Sequence, residues 1–334
     1  TVESLAMSLC GDGLQCWSWL CSAGRIAKQL KETPYSTEAN AAFLQSVANR
    51  KAQPLGKSAT IPHAKLGVVR LDYHYPHQPG DIDDPQSFEY PVVYRAVPGL
   101  TFDMCMSGKM TPEVEEEFVA AITYLDEQGV SAITGDCGFM LWFQDLAGKH
   151  THLPIAMSSI CSLPAVTVAL SEHGKIAIFT ASGQSLEPMH DLIKDLCGIE
   201  TNEDKFVIVG CEDVEGFDPI FVGGKLDLEK ATAGIVEKAL KVIHDHPIRG
   251  ILMECTQLPP FSDAVRAATH KPVWDAITNA NFFIEAFVDN PRFGLNDWHA
   301  AWDGKHDKYV LGDSLSQKSK KKLVTIQRGD THAA

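Results

Sequence analysis

Residues 111–138 read TPEVEEEFVAAITYLDEQGVSAITGDCG, and they place a helix, a turn, a strand and a thiol in that order. The hydroxyl of Thr111 suits an N-cap, and Pro112 suits the first helical position, where its missing N–H would have had no partner. Acidic residues crowd the first turn, where unpaired N–H groups favour negative charge. Phe118, Ile122 and Leu125 then recur at helical spacing as one inward stripe, and Gly129 supplies the stop. The apolar run VSAIT (130–134) predicts a strand. Gly135, Asp136 and Gly138 set Cys137 in the loop just beyond that strand's carboxyl end.

The same alternation extends in both directions. KLGVVRL (65–71) and VVYRAV (92–97) precede it as strands, and PIAMSS (154–159) follows as another. A second series runs from residue 175. It comprises the strand KIAIFTA (175–181), the helix SLEPMHDLIKDLCG (185–198), the strand FVIVG (206–210), the amphipathic helix DLEKATAGIVEKALKVIHDH (227–246) and the strand GILME (250–254). FSDAVRAATH (261–270) reads as a short helix, KPVWDAI (271–277) as a strand and NANFFIEAFV (279–288) as a closing helix. Strands alternating with helices predict an α/β fold with mainly parallel sheets. Helix, turn and apolar strand lead a second time to a cysteine, Cys255 in MECTQLPP (253–260). The expected architecture is two pseudo-symmetric lobes, each a mainly parallel sheet flanked by helices, with an active site in the cleft between them. Residues 62–173 form the first lobe, completed by about 271–300, and residues 174–270 form the second.

The flanks differ in composition. Residues 1–61 are expected to be a poorly structured extension, either a targeting segment or an added helix or disordered arm; Glu3, Asp12, Glu32 and Glu38 weaken the transit-peptide reading. Opening on Thr is what a fragment or a processed form would show. Residues 301–334, with SQKSKKK, read as a polar, frayed tail.

The chain has 334 residues, 45% of them hydrophobic, and a formal charge of −14. It can bury a sizeable core. Acidic residues spread along the whole length argue against a nucleic-acid partner, and no apolar run has the length of a membrane span. The nine cysteines form no CxxC pairs or zinc spacing, so reduced thiols in an intracellular compartment are expected, with cytoplasm and plastid both open. Cys105, Cys161, Cys197 and Cys211 lack the strand-end correspondence and read as core or surface residues.

A cysteine at a strand end is by itself an ordinary packed residue. Two at matching points of a repeated topology sit at the edge where open α/β sheets bind ligands, and there they suit proton transfer at a carbon beside a carboxylate. One thiolate removes the proton, and the second thiol faces the opposite side of that carbon. Such chemistry needs no pyridoxal and no metal, and G-x-G-x-x-G, P-loop and H-E-x-x-H motifs are all missing. His74 and His77 lack a complementary ligand cluster, so no metal site is expected. Tyr73, Tyr75, Phe139, Trp142 and Phe143 are the aromatic faces on offer to a cation, with Tyr73 favoured for its place beside Asp72 after the first strand. Thr134, Thr180, Ser182 and Thr256 stand at strand ends as donors for a carboxylate. Arg70 is a further candidate for that carboxylate, and Asp275 reads as a helix N-cap.

MECTQLPP resembles the second cysteine motif of the pyridoxal-independent aspartate/glutamate racemase superfamily, roughly G-C-T-x-L-P, and TGDCG stands where that superfamily has its first. The resemblance spans about residues 65–290. In the first motif Gly138-Phe139 replaces the racemases' Asn-Thr, which turns the expectation away from an amino acid. LGVVRLDYHYPHQPGDIDDPQSFEYPVVYRAVPGLTFDM (66–104), with ITGDCGFM (133–140), more closely resembles the algal dimethylsulfoniopropionate lyases, a branch of the same superfamily. That resemblance implies cofactor-independent β-elimination to dimethyl sulfide and acrylate, with Cys255 as base and Cys137 as its partner. It also implies a homo-oligomer, for which a homotetramer is one form. Two alternatives stand beside it: a cofactor-independent racemase acting on aspartate- or glutamate-type amino acids, and a non-catalytic two-lobe ligand-binding protein.

Overall fold

The computed structural model describes residues 64–170, 174–202 and 204–287. The N-terminal extension and the C-terminal tail expected from composition lie outside the described residues. The remaining chain builds two four-stranded sheets, all of whose strand pairs are parallel. The first contains β1 (Leu66–Arg70), β2 (Val92–Ala96), β3 (Ala132–Gly135) and β4 (Ile155–Ala156), in the order β2-β1-β3-β4. The second contains β5 (Lys175–Thr180), β6 (Phe206–Gly210), β7 (Ile248–Met253) and β8 (Val273–Trp274), in the order β6-β5-β7-β8. The same order recurs, so β3 and β7 occupy equivalent places, each the third strand of its sheet. This is the two-lobe α/β architecture that the alternation predicts.

Nine helices cover the sheets within the described residues: α1 (Phe102–Ser107), α2 (Pro112–Glu127), α3 (Gln144–Gly148), α4 (Leu163–Leu170), α5 (Gly183–Leu186), α6 (His190–Cys197), α7 (Leu228–Asp245), α8 (Ser262–Thr269) and α9 (Ala276–Ile284). In α2 the Thr111 hydroxyl accepts from the Val114 N–H, and Phe118, Ile122 and Leu125 are buried as the stripe requires. Each such fully buried apolar side chain contributes about 1.5–3 kcal/mol. A side chain at Gly67 of β1 would meet Leu125 and Val130, so this glycine lets α2 lie close on the sheet.

Several elements depart from the sequence reading for local reasons. PIAMSS is a strand only at Ile155–Ala156, because Ser158 caps a 3-10 turn at Ser159–Ser162 by accepting from the Ile160 N–H. The single helix expected over 185–198 is split: Pro188 sits in a 3-10 turn at Glu187–Met189, between α5 and α6. KPVWDAI stops as a strand at Trp274, since Asp275 opens α9 with a capping box to Thr278. Helices α1, α3 and α4 were not legible as helices. They are short, and α4 is nearly all apolar, which removes the periodic contrast that marks a helix face.

The two sheets share a core. One buried cluster holds Val69 and Ile133 from the first sheet together with Ile176, Ile178 and Leu252 from the second. Helix α9 packs on the first lobe, where Ala280 and Ile284 meet Leu66, Val68 and Ala132, although the strand just before it, β8, belongs to the second sheet. No helix among the described residues is long and apolar enough to cross a membrane.

Candidate active site

Cys137 lies two residues beyond the end of β3, and Cys255 two residues beyond the end of β7. Each is followed by the same kind of turn. The Cys137 carbonyl accepts from the Met140 N–H at 2.9 Å, and the Cys255 carbonyl accepts from the Leu258 N–H at 3.1 Å. Both strand ends therefore deliver a thiol to one place, a small cavity that opens to solvent. Both sulfurs belong to buried residues, 5% and 6% exposed respectively.

The wall divides by chemistry. Tyr73, Tyr75, Phe102 and Phe139 supply aromatic surface, and Asp136, Glu254, Thr256 and Gln257 supply polar groups. The Tyr73 and Tyr75 rings lie 5.1 Å apart between centroids. Phe102 makes edge contacts with Phe139 of the first lobe and Phe221 of the second. The Tyr73 hydroxyl donates to the Ile220 carbonyl, and the Thr256 hydroxyl donates to the Asp136 carbonyl. The Ser159 hydroxyl donates to the Met253 carbonyl at 2.8 Å. These bonds cross from one lobe to the other and fix the mouth of the site.

Charge around the cavity is mostly acidic and buried. Asp136 accepts the Leu71 N–H on both carboxyl oxygens, at 3.1 and 3.0 Å. Arg70 pairs with Asp83 at 2.8 Å and stands 4.0 Å from Asp136. Tyr75 donates to Asp81 at 2.6 Å. Three buried carboxyls thus share one guanidinium. Burial pushes the Asp81 carboxyl up to about 7. It also raises Asp136 well above the ordinary range, with the Asp83 charge adding to the effect.

The two thiols differ in their neighbours. Cys137 is held well above the usual thiol range, first by a hydrogen bond with Cys105 and then by burial and the charges of Glu254 and Asp136. Cys255 is raised as well, mainly by burial and the Glu254 charge, but the backbone N–H of Gln257 faces its sulfur and pulls the other way. An N–H aimed at sulfur favours the thiolate. Glu254 is fully buried; its Oε2 accepts from the Thr180 hydroxyl at 2.8 Å, and its Oε1 has no hydrogen-bond partner among the described residues. Burial raises this carboxyl to about 7, against the lowering effect of Thr180.

Of the side chains singled out from sequence, Cys137, Cys255, Tyr73, Tyr75, Phe139 and Thr256 line the cavity. The others have different places. Arg70 serves the carboxyl cluster. Asp72 is exposed and accepts from the Gly99 N–H at 2.9 Å. Thr134 donates to the Ala156 carbonyl. Ser182 caps α5. Trp142 packs over Gly108, and Phe143 packs on Phe118. Thr180 reaches the site only through Glu254. Cys105, read as an ordinary core or surface residue, is a fully buried free thiol that acts on Cys137. Asp275 is the cap of α9. His74 and His77 are exposed, and no metal-holding cluster of His, Cys, Asp or Glu occurs among the described residues.

The sequence reading did not single out Glu254, Asp136 or Gln257 as site residues. Their one signal was adjacency to the two cysteines.

No protein-family model matches the chain. A dimethylsulfoniopropionate lyase of Durusdinium sp. clade D is 59% identical over 273 residues, covering 81% of this chain and 91% of that protein. Dimethylsulfoniopropionate lyase 7 of Emiliania huxleyi (strain CCMP1516) is 52% identical over 283 residues, covering 83% of each. Among solved structures, an aspartate racemase homologue from Pyrococcus horikoshii OT3 aligns over 67% of this chain and 99% of its own, at 14% identity and a TM-score of 0.43. Aspartate racemase of Picrophilus torridus aligns over 70% and 99%, at 16% identity and a TM-score of 0.43.

Proposed function

The chain belongs to the dimethylsulfoniopropionate lyase family, and on that premise we propose that it cleaves dimethylsulfoniopropionate to dimethyl sulfide and acrylate, with Cys255 as the base. The observation that carries the reading is the pair of thiols brought by equivalent strands to one cavity. The substrate is a small zwitterion with a sulfonium on the β-carbon and a carboxylate beside the α-carbon. Its cation suits the Tyr73 and Tyr75 faces, where each favourable ring contact contributes about 0.5–2 kcal/mol. The buried carboxyls behind them, Asp136 first, share too few cations and gain from another.

The bound sulfonium also lowers the pKa of a nearby thiol, because a positive charge favours the thiolate. Cys255 is the better recipient of that effect, since the Gln257 N–H already faces its sulfur, whereas the neighbouring Cys105 thiol raises Cys137 further. The thiolate takes the α-proton. The C–H pair becomes the new C=C bond, the β-carbon–sulfur bond breaks, and its electron pair leaves with neutral dimethyl sulfide. Acrylate keeps the carboxylate charge, and Cys255 is left as a thiol that returns its proton to solvent. Cys137 lies against the substrate as packing and dipole. The scheme uses no cofactor.

Separate Cys255→Ser and Cys137→Ser variants test the assignment by headspace dimethyl sulfide release and acrylate formation. The first is expected to lose about 10²–10⁴-fold in kcat, the usual span for a proton-transfer group, and the second to lose less. Full activity in Cys255→Ser removes it as the base. Formation of D-aspartate or D-glutamate without dimethyl sulfide replaces the lyase reading with the racemase one.

A further inference from the structure

Glu254 occupies an unusual position for an acidic side chain. It is fully buried, it lines the cavity next to Cys255, and only one of its two oxygens is satisfied. The packing around the free oxygen is close: a Cβ at Gly138 would stand 2.2 Å from both Oε1 and the Glu254 carbonyl. Residue 138 follows Cys137 and lines the same cavity, so the absence of a side chain there makes room for the carboxyl between the two cysteine loops. The titratable groups that face it are the thiols of Cys255, on its own strand end, and of Cys137, in the loop after β3. From β5 comes the uncharged Thr180 hydroxyl. No cation is among the influences on it.

A buried carboxyl without a cation is at lower free energy with its proton on. We propose that Glu254, as a neutral carboxylic acid, uses its free oxygen to hydrogen-bond the carboxylate of the substrate and is a catalytic residue of the elimination. The proposal rests on the lyase reading and deepens it. The lining offers partners for both charges: the aromatic rings suit the cation, and the unpaired Glu254 oxygen is left for the anion. Two carboxylates face to face repel, whereas a carboxylic acid and a carboxylate share one proton. When Cys255 removes the α-proton, negative charge grows on the carboxylate oxygens and the hydrogen bond strengthens, which lowers the barrier selectively. Glu254 keeps its proton throughout. The α-proton ends on Cys255, and the electron balance of the elimination is unchanged.

Two half-substrates separate the ends. 4-Methylpentanoate has the carboxylate with carbon in place of sulfonium, and ethyldimethylsulfonium has the cation without the carboxylate. Turnover of dimethylsulfoniopropionate by the wild-type enzyme is measured first, so that failure of the lyase reading is visible separately as an absence of dimethyl sulfide. Calorimetric affinity for 4-methylpentanoate is then expected to fall about tenfold per pH unit above about pH 7, where Glu254 loses its proton. In Glu254→Gln, which keeps a donor but cannot titrate, that slope is expected to vanish and kcat to drop more than KM changes. The same slope in wild type and variant overturns the proposal. An ethyldimethylsulfonium affinity that climbs with pH in wild type and stays flat in the variant also overturns it, by placing an ionised Glu254 at the cation end.

Discussion

At the scale of single residues, the site is a set of groups kept away from their usual protonation states by burial. Glu254 shows the sign of the effect clearly. Its pKa rises from 4.5 to about 7 on folding, so the native state binds more protons than the unfolded chain between those values. The associated stability is fully present below the unfolded pKa and is lost as pH rises through the folded one. A shift of this size corresponds to roughly 3 kcal/mol. Glu254→Gln has no such proton, so its stability relative to wild type is expected to increase as pH goes from about 5 to about 8. Urea midpoints of both proteins across that range read the difference, and parallel curves would show that burial leaves this carboxyl ionised. Cys137 and Cys255 differ by their neighbours in the same way: one sulfur faces another thiol, and the other faces an N–H.

At the scale of elements, each strand end that carries chemistry is held by a turn just after it and by a helix cap nearby. Asp275 illustrates how much one cap does. Its Oδ1 accepts from the Thr278 N–H at 2.8 Å, its Oδ2 accepts from the Ser262 hydroxyl at 2.6 Å, and the Thr278 hydroxyl closes the box. The residue therefore joins the first turn of α8 to the start of α9 while ending β8. Asp275→Ala removes the cap and leaves the buried Ser262 hydroxyl only the Met253 sulfur as partner, which together cost about 1–3 kcal/mol. The expected result is a lower urea midpoint with kcat little changed, since Asp275 does not line the cavity. A midpoint equal to wild type would assign the α9 boundary to packing alone. The split of the expected 185–198 helix has the same character: Pro188 has no N–H to give, so the ladder breaks at it.

At the scale of the whole molecule, the site exists because two lobes meet. Tyr73 from the first lobe reaches the Ile220 carbonyl of the second, and Thr256 from the second reaches the Asp136 carbonyl of the first. Tyr73→Phe keeps the ring that faces the cavity and removes one clasp. It is expected to lower stability by about 1 kcal/mol, the ordinary net worth of a hydrogen bond, and to leave the KM for the substrate within about threefold. A large rise in KM would instead make the hydroxyl part of the cation site. Burial of Ile176 and Leu252 with Val69 and Ile133 in one cluster means that neither sheet completes its core without the other.

The sequence by itself determined the parallel α/β alternation, the repetition of the lobe and the strand-end position of both cysteines, because hydrophobic periodicity, caps and turn residues are local signals. It also offered the thiol pair through the matched order of elements ahead of Cys137 and Cys255. What only the tertiary structure decided is which polar groups share the cavity with those thiols. Arg70, a candidate for the substrate carboxylate, is engaged by Asp83 thirteen residues on, and Thr180 reaches the site only by way of Glu254. Glu254 itself was hidden in MECTQLPP, directly before Cys255. A buried carboxyl facing a glycine from the other lobe is defined by contacts distant in sequence, and no local pattern encodes them.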